Sequence, residues 1–130
     1  MLKASTIQHL RFGFGLFLLP IFLFSASQYP IDNWQRFFLV FAILHLLVYP
    51  ASNGYNSYFD QDEGSIGGVS QPLPVTRELY WVAIGLDVIA LAFSLLVSWQ
   101  FASMVLVYGL VSKAYSHPSV RLKKYPVLSL

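Results

Sequence analysis

Residues 79–99 read LYWVAIGLDVIALAFSLLVSW, an apolar run of helix length that contains one charged residue, Asp87. A helix that crosses the hydrocarbon core of a bilayer needs about 20 consecutive, predominantly apolar residues. The run therefore predicts a transmembrane helix, and it indicates that the chain has the fold of a helical membrane protein.

Three further apolar segments extend this prediction to a polytopic, all-α transmembrane helical bundle of about four helices. They cover about residues 10–27, 34–59 and 101–116. The last of them is near the lower length limit for a span, and the joint before it is only Ser98-Trp99-Gln100. We expect a single transmembrane domain over residues 1–130.

The composition agrees with a chain solvated by lipid. Of the 130 residues, 56% are apolar and only 11% are charged, whereas an ordinary soluble domain has about 25% charged residues. The net charge of +2 and the absence of a basic stripe give no reason to expect nucleic acid as a partner. Cysteine is absent, which excludes disulfides and thiolate sites.

The basic residues predict how the chain is oriented in the cytoplasmic membrane. Seven of the eight Lys and Arg residues lie at the ends or loops of one side, and Arg36 alone lies on the other. An excess of Lys and Arg marks the cytoplasmic side. Both termini and the loop at 60–77 are therefore predicted to be cytoplasmic.

The first apolar segment also has features of a cleaved signal peptide. It has a basic start, an apolar core and the small residues Ser25-Ala26-Ser27. Its apolar stretch is longer than most signal-peptide cores, which favours a membrane span.

The most polar part of the chain begins where the second span ends. Asn53, Asn56, Asp60, Asp62 and Glu63 fall within eleven residues and include three of the six carboxylates. Such a concentration of acidic residues in a membrane chain with few charges indicates a cation or phosphate site. Glycines follow at 64, 67 and 68 and permit a close approach of the backbone to a ligand.

Helical spacing brings several of these side chains to one face. If the second helix continues through its polar end, Tyr49, Asn53, Asn56 and Asp60 lie within roughly a 60° sector. Glu63 lies near that sector and Asp62 points away from it. Amide and carboxylate oxygens are hard donors of the kind that Mg²⁺ prefers, usually together with water and substrate phosphate. The pattern favours a magnesium–diphosphate site over the alternative, a solvated helix end with ordinary polar caps.

The start of the third helix has its own polar residues. Thr76 is the predicted N-cap, and Glu78 falls in the first turn, where the helix dipole favours a negative charge. A structural role is therefore expected for Glu78.

Three stretches carry a resemblance to a known family. Asn56-Ser-Tyr-Phe-Asp60-Gln-Asp-Glu-Gly-Ser resembles the first aspartate-rich motif of the UbiA superfamily of intramembrane prenyltransferases, especially the dihydroxynaphthoate polyprenyltransferase branch of menaquinone synthesis. Leu10-Arg-Phe-Gly-Phe-Gly is similar to the start of that family's first helix. Tyr115-Ser-His-Pro-Ser-Val-Arg-Leu-Lys-Lys124 is similar to its segment after the fourth helix.

The resemblance implies a polyprenyl diphosphate donor, a lipophilic or aromatic acceptor, and Mg²⁺. Asn56 and Asp60 would be the catalytic residues and would hold the metal together with Glu63. The substrate-binding residues would be Arg11, Asn53, Tyr115, Arg121 and Lys123.

Two kinds of departure from the family pattern affect this interpretation. Ser57 and Gly64 stand where family members often have carboxylates. Family members also usually have about nine helices and a second aspartate-rich motif, which residues 1–130 lack. The chain is therefore expected to be the N-terminal half of a prenyltransferase fold, inactive alone, with a possible second polypeptide as a partner.

The sequence also suggests two alternatives to a prenyltransferase. A four-helix transporter subunit would use Asp87 as a proton or cation carrier, because that residue falls in the middle of a span. Such a transporter subunit would not require the polar residues at 53–68. A membrane scaffold without catalysis would not explain their spacing.

Overall fold

The structure, a computed structural model, describes residues 1–60, 73–121 and 124–125. All regular structure in these ranges is helical, which confirms the all-α prediction. In chain order the elements are α1 (Ala4–Leu10), a 3₁₀ helix (Phe14–Leu18), α2 (Leu19–Ser27), α3 (Trp34–Ala42), a π-helical segment (Ile43–Val48), α4 (Tyr49–Asp60), α5 (Arg77–Val97) and α6 (Trp99–Ser116).

Three helical stretches are long and apolar enough to cross a membrane. They are Ala4–Ser27, Trp34–Asp60 and Arg77–Val97. The fourth helix, α6, has 18 residues but a less apolar composition and is not among these three. The chain is therefore an integral membrane protein.

The first span starts earlier than the hydropathy pattern predicts and is interrupted. The predicted segment 10–27 omits α1, since four of the seven residues of α1 are polar and lower the local hydropathy. Arg11 then ends α1 in a left-handed conformation, with φ 49°. A residue of this conformation commonly terminates a helix, so α1 ends here and the 3₁₀ helix begins three residues later.

The second span is continuous but changes its helical type next to Pro50. Proline has no N–H to donate, and its ring clashes with the carbonyl oxygen four residues earlier in a regular helix. The wider π-helical turns of Ile43–Val48 come just before this position. Because they accommodate the proline, α4 continues to Asp60 and carries the polar residues on helical backbone.

A single residue separates α5 from α6. Ser98 is extended, and its Oγ accepts a hydrogen bond of 3.0 Å from the N–H of Phe101. The predicted joint of three residues is shorter in the structure because Trp99 and Gln100 already belong to α6. This serine cap allows a sharp reversal, so α6 runs in the same direction as α4.

The helices α1, α4 and α5 pack closely at Gly54. A Cβ atom at this position would lie 2.9 Å from Leu10 Cδ2 and 3.1 Å from Leu79 Cδ1. Both leucines are fully buried. Gly54 therefore allows the close packing that places Arg11, just after α1, beside the polar face of α4.

Candidate diphosphate-binding cavity

Arg11 and Asn53 are joined by two hydrogen bonds, in which the side chain of each residue donates to the backbone carbonyl oxygen of the other. Arg11 Nη2 donates a hydrogen bond of 3.4 Å to the carbonyl oxygen of Asn53. Asn53 Nδ2 donates to the carbonyl oxygens of Leu10 and Arg11, at 3.2 and 3.4 Å. The guanidinium carbon of Arg11 also lies 5.3 Å from the centroid of the Phe14 ring. The end of α1 is thereby fixed against the first half of α4.

Two hydrogen bonds join α4 to α6 on the neighbouring side. The hydroxyl groups of Ser52 and Ser112 lie 2.5 Å apart. One turn further along both helices, Ser116 Oγ donates to Asn56 Oδ1 at 2.8 Å. The equal spacing of four residues on each helix shows that the two helices run parallel and in register here.

These contacts surround one open cavity of about 440 Å³. Four residues predicted from the sequence line it: Arg11, Asn53, Asn56 and Tyr115. They come from three separate parts of the chain, and the fold brings them together. The remaining wall residues are Phe14, Ser52, Tyr108, Val111, Ser112 and Ser116.

A comparison with known protein families assigns the chain. A family model, the UbiA prenyltransferase family, matches residues 15–129.

The chain belongs to the UbiA prenyltransferase family.

No curated protein and no solved structure matches the chain. The region matched to the UbiA family includes residues 53–60 and 115–124 and begins four residues after Arg11. The family prediction is therefore confirmed, and it supports membrane prenyltransferase activity in general.

The other predicted site residues of this UbiA-family chain lie apart from the cavity wall or outside the described ranges. Asp60 is in the last turn of α4, one turn beyond Asn56, and is half-buried. Arg121 follows α6 in a left-handed conformation, with φ 43°, and its N–H donates to the His117 carbonyl oxygen at 2.7 Å. Neither residue lines the cavity. Glu63 and Lys123 lie outside the described residues.

The residues predicted to bind metal offer oxygen donors of the type that Mg²⁺ prefers. Within the described ranges there is no group of three His, Asp or Glu residues that could hold a metal by themselves. Mg²⁺ does not need such a group, because it is usually held by one or two carboxylates, with water and substrate phosphate in its remaining positions. The amide oxygen of Asn56 and the carboxylate of Asp60, one helical turn apart, are donors of this kind.

The departure at Ser57 does not change the cavity wall. Ser57 is fully buried on a different face of α4, and its Oγ has no hydrogen-bond partner within the described part of the chain. The residue at this position therefore points into the helix packing and away from Asn53 and Asn56. Gly64, the other departure from the family pattern, lies outside the described residues.

Sequence reasoning missed four polar cavity residues: Ser52, Tyr108, Ser112 and Ser116. A signal for three of them exists in the sequence. Ser112 and Ser116 repeat at a spacing of four in an apolar helix, as do Ser52 and Asn56. Small polar residues with this repeat are typical of contacts between membrane helices.

Asp87, the basis of the transporter hypothesis, forms an ion pair with Lys113 of α6. The Lys113 ammonium also lies 5.3 Å from the centroid of the Tyr55 ring. The pair borders a separate cavity of about 180 Å³ between α5 and α6, whose other walls are largely aliphatic. A paired acid is less costly within a membrane than an isolated one, which accounts for Asp87 without a carrier role.

Proposed function

We propose that this chain binds a polyprenyl diphosphate and takes part in the transfer of its prenyl group to a lipophilic acceptor. The main support for the proposal is that one cavity is lined by Arg11, Asn53, Asn56 and Tyr115. A guanidinium group offers a fork of N–H donors that matches phosphate oxygens. Amides and hydroxyl groups supply further polar contacts around the same volume.

A second cavity supports a prenyl chain as the other part of the substrate. It has a volume of about 470 Å³ and shares Tyr108 and Val111 with the polar cavity. Its other wall residues are mostly apolar and come from the π-helical segment, the first residue of α4 and α6, among them Leu44, Val48 and Phe101. A polar cavity that borders an apolar one suits an amphipathic substrate with a charged head.

The proposed reaction begins with cleavage of the allylic C–O bond, whose electron pair leaves with the diphosphate. The acceptor carbon then forms the new bond to the prenyl carbon and loses a proton. Arg11 stabilises the charge that develops on the leaving group. Tyr108 and Tyr115 line the same cavity, and their aromatic rings would stabilise a positively charged prenyl carbon nearby.

Magnesium fits this proposal as a resident ion of the diphosphate site. Asn56 and Asp60 would hold it, with Glu63 as a third ligand. When bound, Mg²⁺ would neutralise part of the diphosphate charge. Arg121 and Lys123, after α6, would add positive charge on the same predicted cytoplasmic side.

The resemblance to the dihydroxynaphthoate branch suggests the acceptor. An aromatic diol of this class has a ring carbon that its hydroxyl groups make nucleophilic. We therefore propose quinone or related lipid biosynthesis as the setting of the reaction.

Magnesium-dependent binding of geranylgeranyl diphosphate to the full chain in lipid nanodiscs tests the proposal. We expect binding that requires Mg²⁺ and that Asp60→Ala weakens. Asp32→Ala is the matched control, because Asp32 is an exposed carboxylate in the turn between the first two spans. Equal binding by wild type and Asp60→Ala would contradict a role of Asp60 at the diphosphate site.

A further inference from the structure

A cluster of hydrogen bonds joins α1 to the start of α5, away from the cavity wall. Thr6 Oγ1 donates to Glu78 Oε1 at 2.8 Å, and the backbone N–H of Lys3 donates to the same oxygen at 2.7 Å. Ser5 Oγ donates to the Pro74 carbonyl oxygen. Glu78 therefore does more than complement the dipole of its own helix, since it also binds the first turn of α1.

The same cluster satisfies both backbone groups of Leu73. His9 Nε2 donates to the Leu73 carbonyl oxygen at 2.7 Å, and the Leu73 N–H donates to Gln8 Oε1 at 2.9 Å. Thr6 and His9 are completely buried. Each of these bonds links residues more than sixty positions apart in the sequence.

The helix α1 depends on these contacts for its position. It has seven residues, and an isolated helix of this length is not stable in water. Its buried residues are Ser5, Thr6, His9 and Leu10, so hydrogen bonds carry much of its attachment. Leu10 supplies the apolar contact at Gly54.

Arg11 follows α1 directly, so the placement of α1 sets where the guanidinium group can reach. The left-handed φ of 49° leaves the Arg11 backbone in a sparsely populated conformation. The N–H of Arg11 donates to Gln8 of α1, and its carbonyl oxygen accepts hydrogen bonds from Phe14 and from Asn53. Movement of α1 therefore moves the Arg11 backbone and its side chain together.

We propose that Thr6, His9 and Glu78 are positioning residues, which hold α1 against the start of α5 and the residues just before it and thereby place Arg11 at the diphosphate-binding cavity. The inference rests on the proposed function, because it needs the cavity to bind a diphosphate. None of the three residues lines the cavity, so their effect on binding acts through Arg11.

A double-mutant cycle between Thr6 and Arg11 tests this inference. Binding of inorganic pyrophosphate with Mg²⁺ is measured for the full chain in nanodiscs, as wild type, Thr6→Ala, Arg11→Ala and the double variant. We expect Thr6→Ala to weaken binding about twofold to tenfold, the effect of one net hydrogen bond. In the Arg11→Ala background, Thr6→Ala should have no further effect.

Two conservative variants separate positioning from general stability. Thr6→Ser keeps the hydroxyl group and should retain wild-type affinity. Glu78→Gln keeps an acceptor oxygen and should bind nearly as well as wild type, whereas Glu78→Ala should weaken binding as Thr6→Ala does. Circular dichroism and thermal unfolding of every variant identify any variant that does not fold.

The possible outcomes distinguish this inference from the proposed function. If wild type binds pyrophosphate and Arg11→Ala weakens binding, but Thr6→Ala and Glu78→Ala do not, the positioning role is wrong and the proposed function stands. Equal losses from Thr6→Ala in both backgrounds would also overturn the positioning role. If wild type does not bind pyrophosphate at all, both proposals fail.

Discussion

Ser116 Oγ donates a hydrogen bond of 2.8 Å to Oδ1 of Asn56, so α6 orients the asparagine of the aspartate-rich motif. Ser116 is almost fully buried. The motif residue on α4 thus depends on a partner sixty positions later in the chain. Correct orientation of a ligand by a neighbouring side chain commonly determines how well a site binds.

Ser116→Ala should leave the Asn56 side chain without this partner. We expect weaker binding of a prenyl diphosphate and a loss of about 1 kcal/mol in the free energy of unfolding, the usual effect of one hydrogen bond. Ser103→Ala is the control on the same helix, because Ser103 is exposed and its hydroxyl bonds the carbonyl oxygen of Trp99 in the preceding turn of its own helix. Equal effects of the two substitutions on binding would rule out a specific role for Ser116.

Gly54→Ala should destabilise the packing of α1 against α4 and α5. The added methyl group would lie 2.9 Å from Leu10 Cδ2, and the fully buried leucine has little room to move. Overpacking of this kind costs about 1–3 kcal/mol. Gly85→Ala in α5 has nothing within 4 Å of the new methyl group and should be neutral or stabilising. Thermal unfolding in detergent compares the two, and a Gly54→Ala protein as stable as Gly85→Ala would contradict the close approach.

The Asp87–Lys113 pair predicts strong coupling between two helices. Asp87→Leu or Lys113→Leu alone leaves one unpaired charge in the helical hairpin and should destabilise the protein by about 3 kcal/mol, since an unpaired charge at membrane depth is costly. The double leucine variant should recover most of that loss. A double-mutant cycle of unfolding free energies measures the coupling. Additive effects would show that the ion pair contributes nothing specific.

Tyr108 stands between the polar cavity and the apolar one, and its ring centroid lies 6.2 Å from that of Tyr49 on α4. Tyr108→Ala should therefore weaken binding of geranylgeranyl diphosphate severalfold while binding of inorganic pyrophosphate stays unchanged. Tyr108→Phe keeps the ring and should behave as wild type. Competition assays with the two ligands make the comparison, and an equal loss for both would place Tyr108 at the head group instead of the prenyl chain.

The sequence was sufficient to predict the helical class and the polar face of α4. Apolar runs of helix length predict the spans, and a spacing of three and four residues places Asn53 and Asn56 together. These are local properties of the chain. Their prediction needed no knowledge of which helices are neighbours.

The features that the sequence did not reveal are those that depend on pairing between distant segments. Ser112 and Ser116 acquire a role only when α6 lies parallel to α4. The hydropathy pattern leaves out most of the short helix α1 because four of its seven residues are polar, and their hydrogen bonds to residues 73–78 form only when α1 lies beside the start of α5. Pairing of Asp87 with Lys113 likewise depends on the register of the α5–α6 hairpin.

Binding of a radiolabelled geranylgeranyl diphosphate to the wild-type chain and to Asn56→Ala, with and without Mg²⁺, tests the central claim most directly. Asn56 lines the cavity, belongs to the aspartate-rich motif and is held by Ser116. We predict saturable, Mg²⁺-dependent binding to wild type, which inorganic pyrophosphate displaces and which Asn56→Ala weakens at least severalfold. Binding that is independent of Mg²⁺ and equal in the two proteins would contradict a diphosphate site at this cavity.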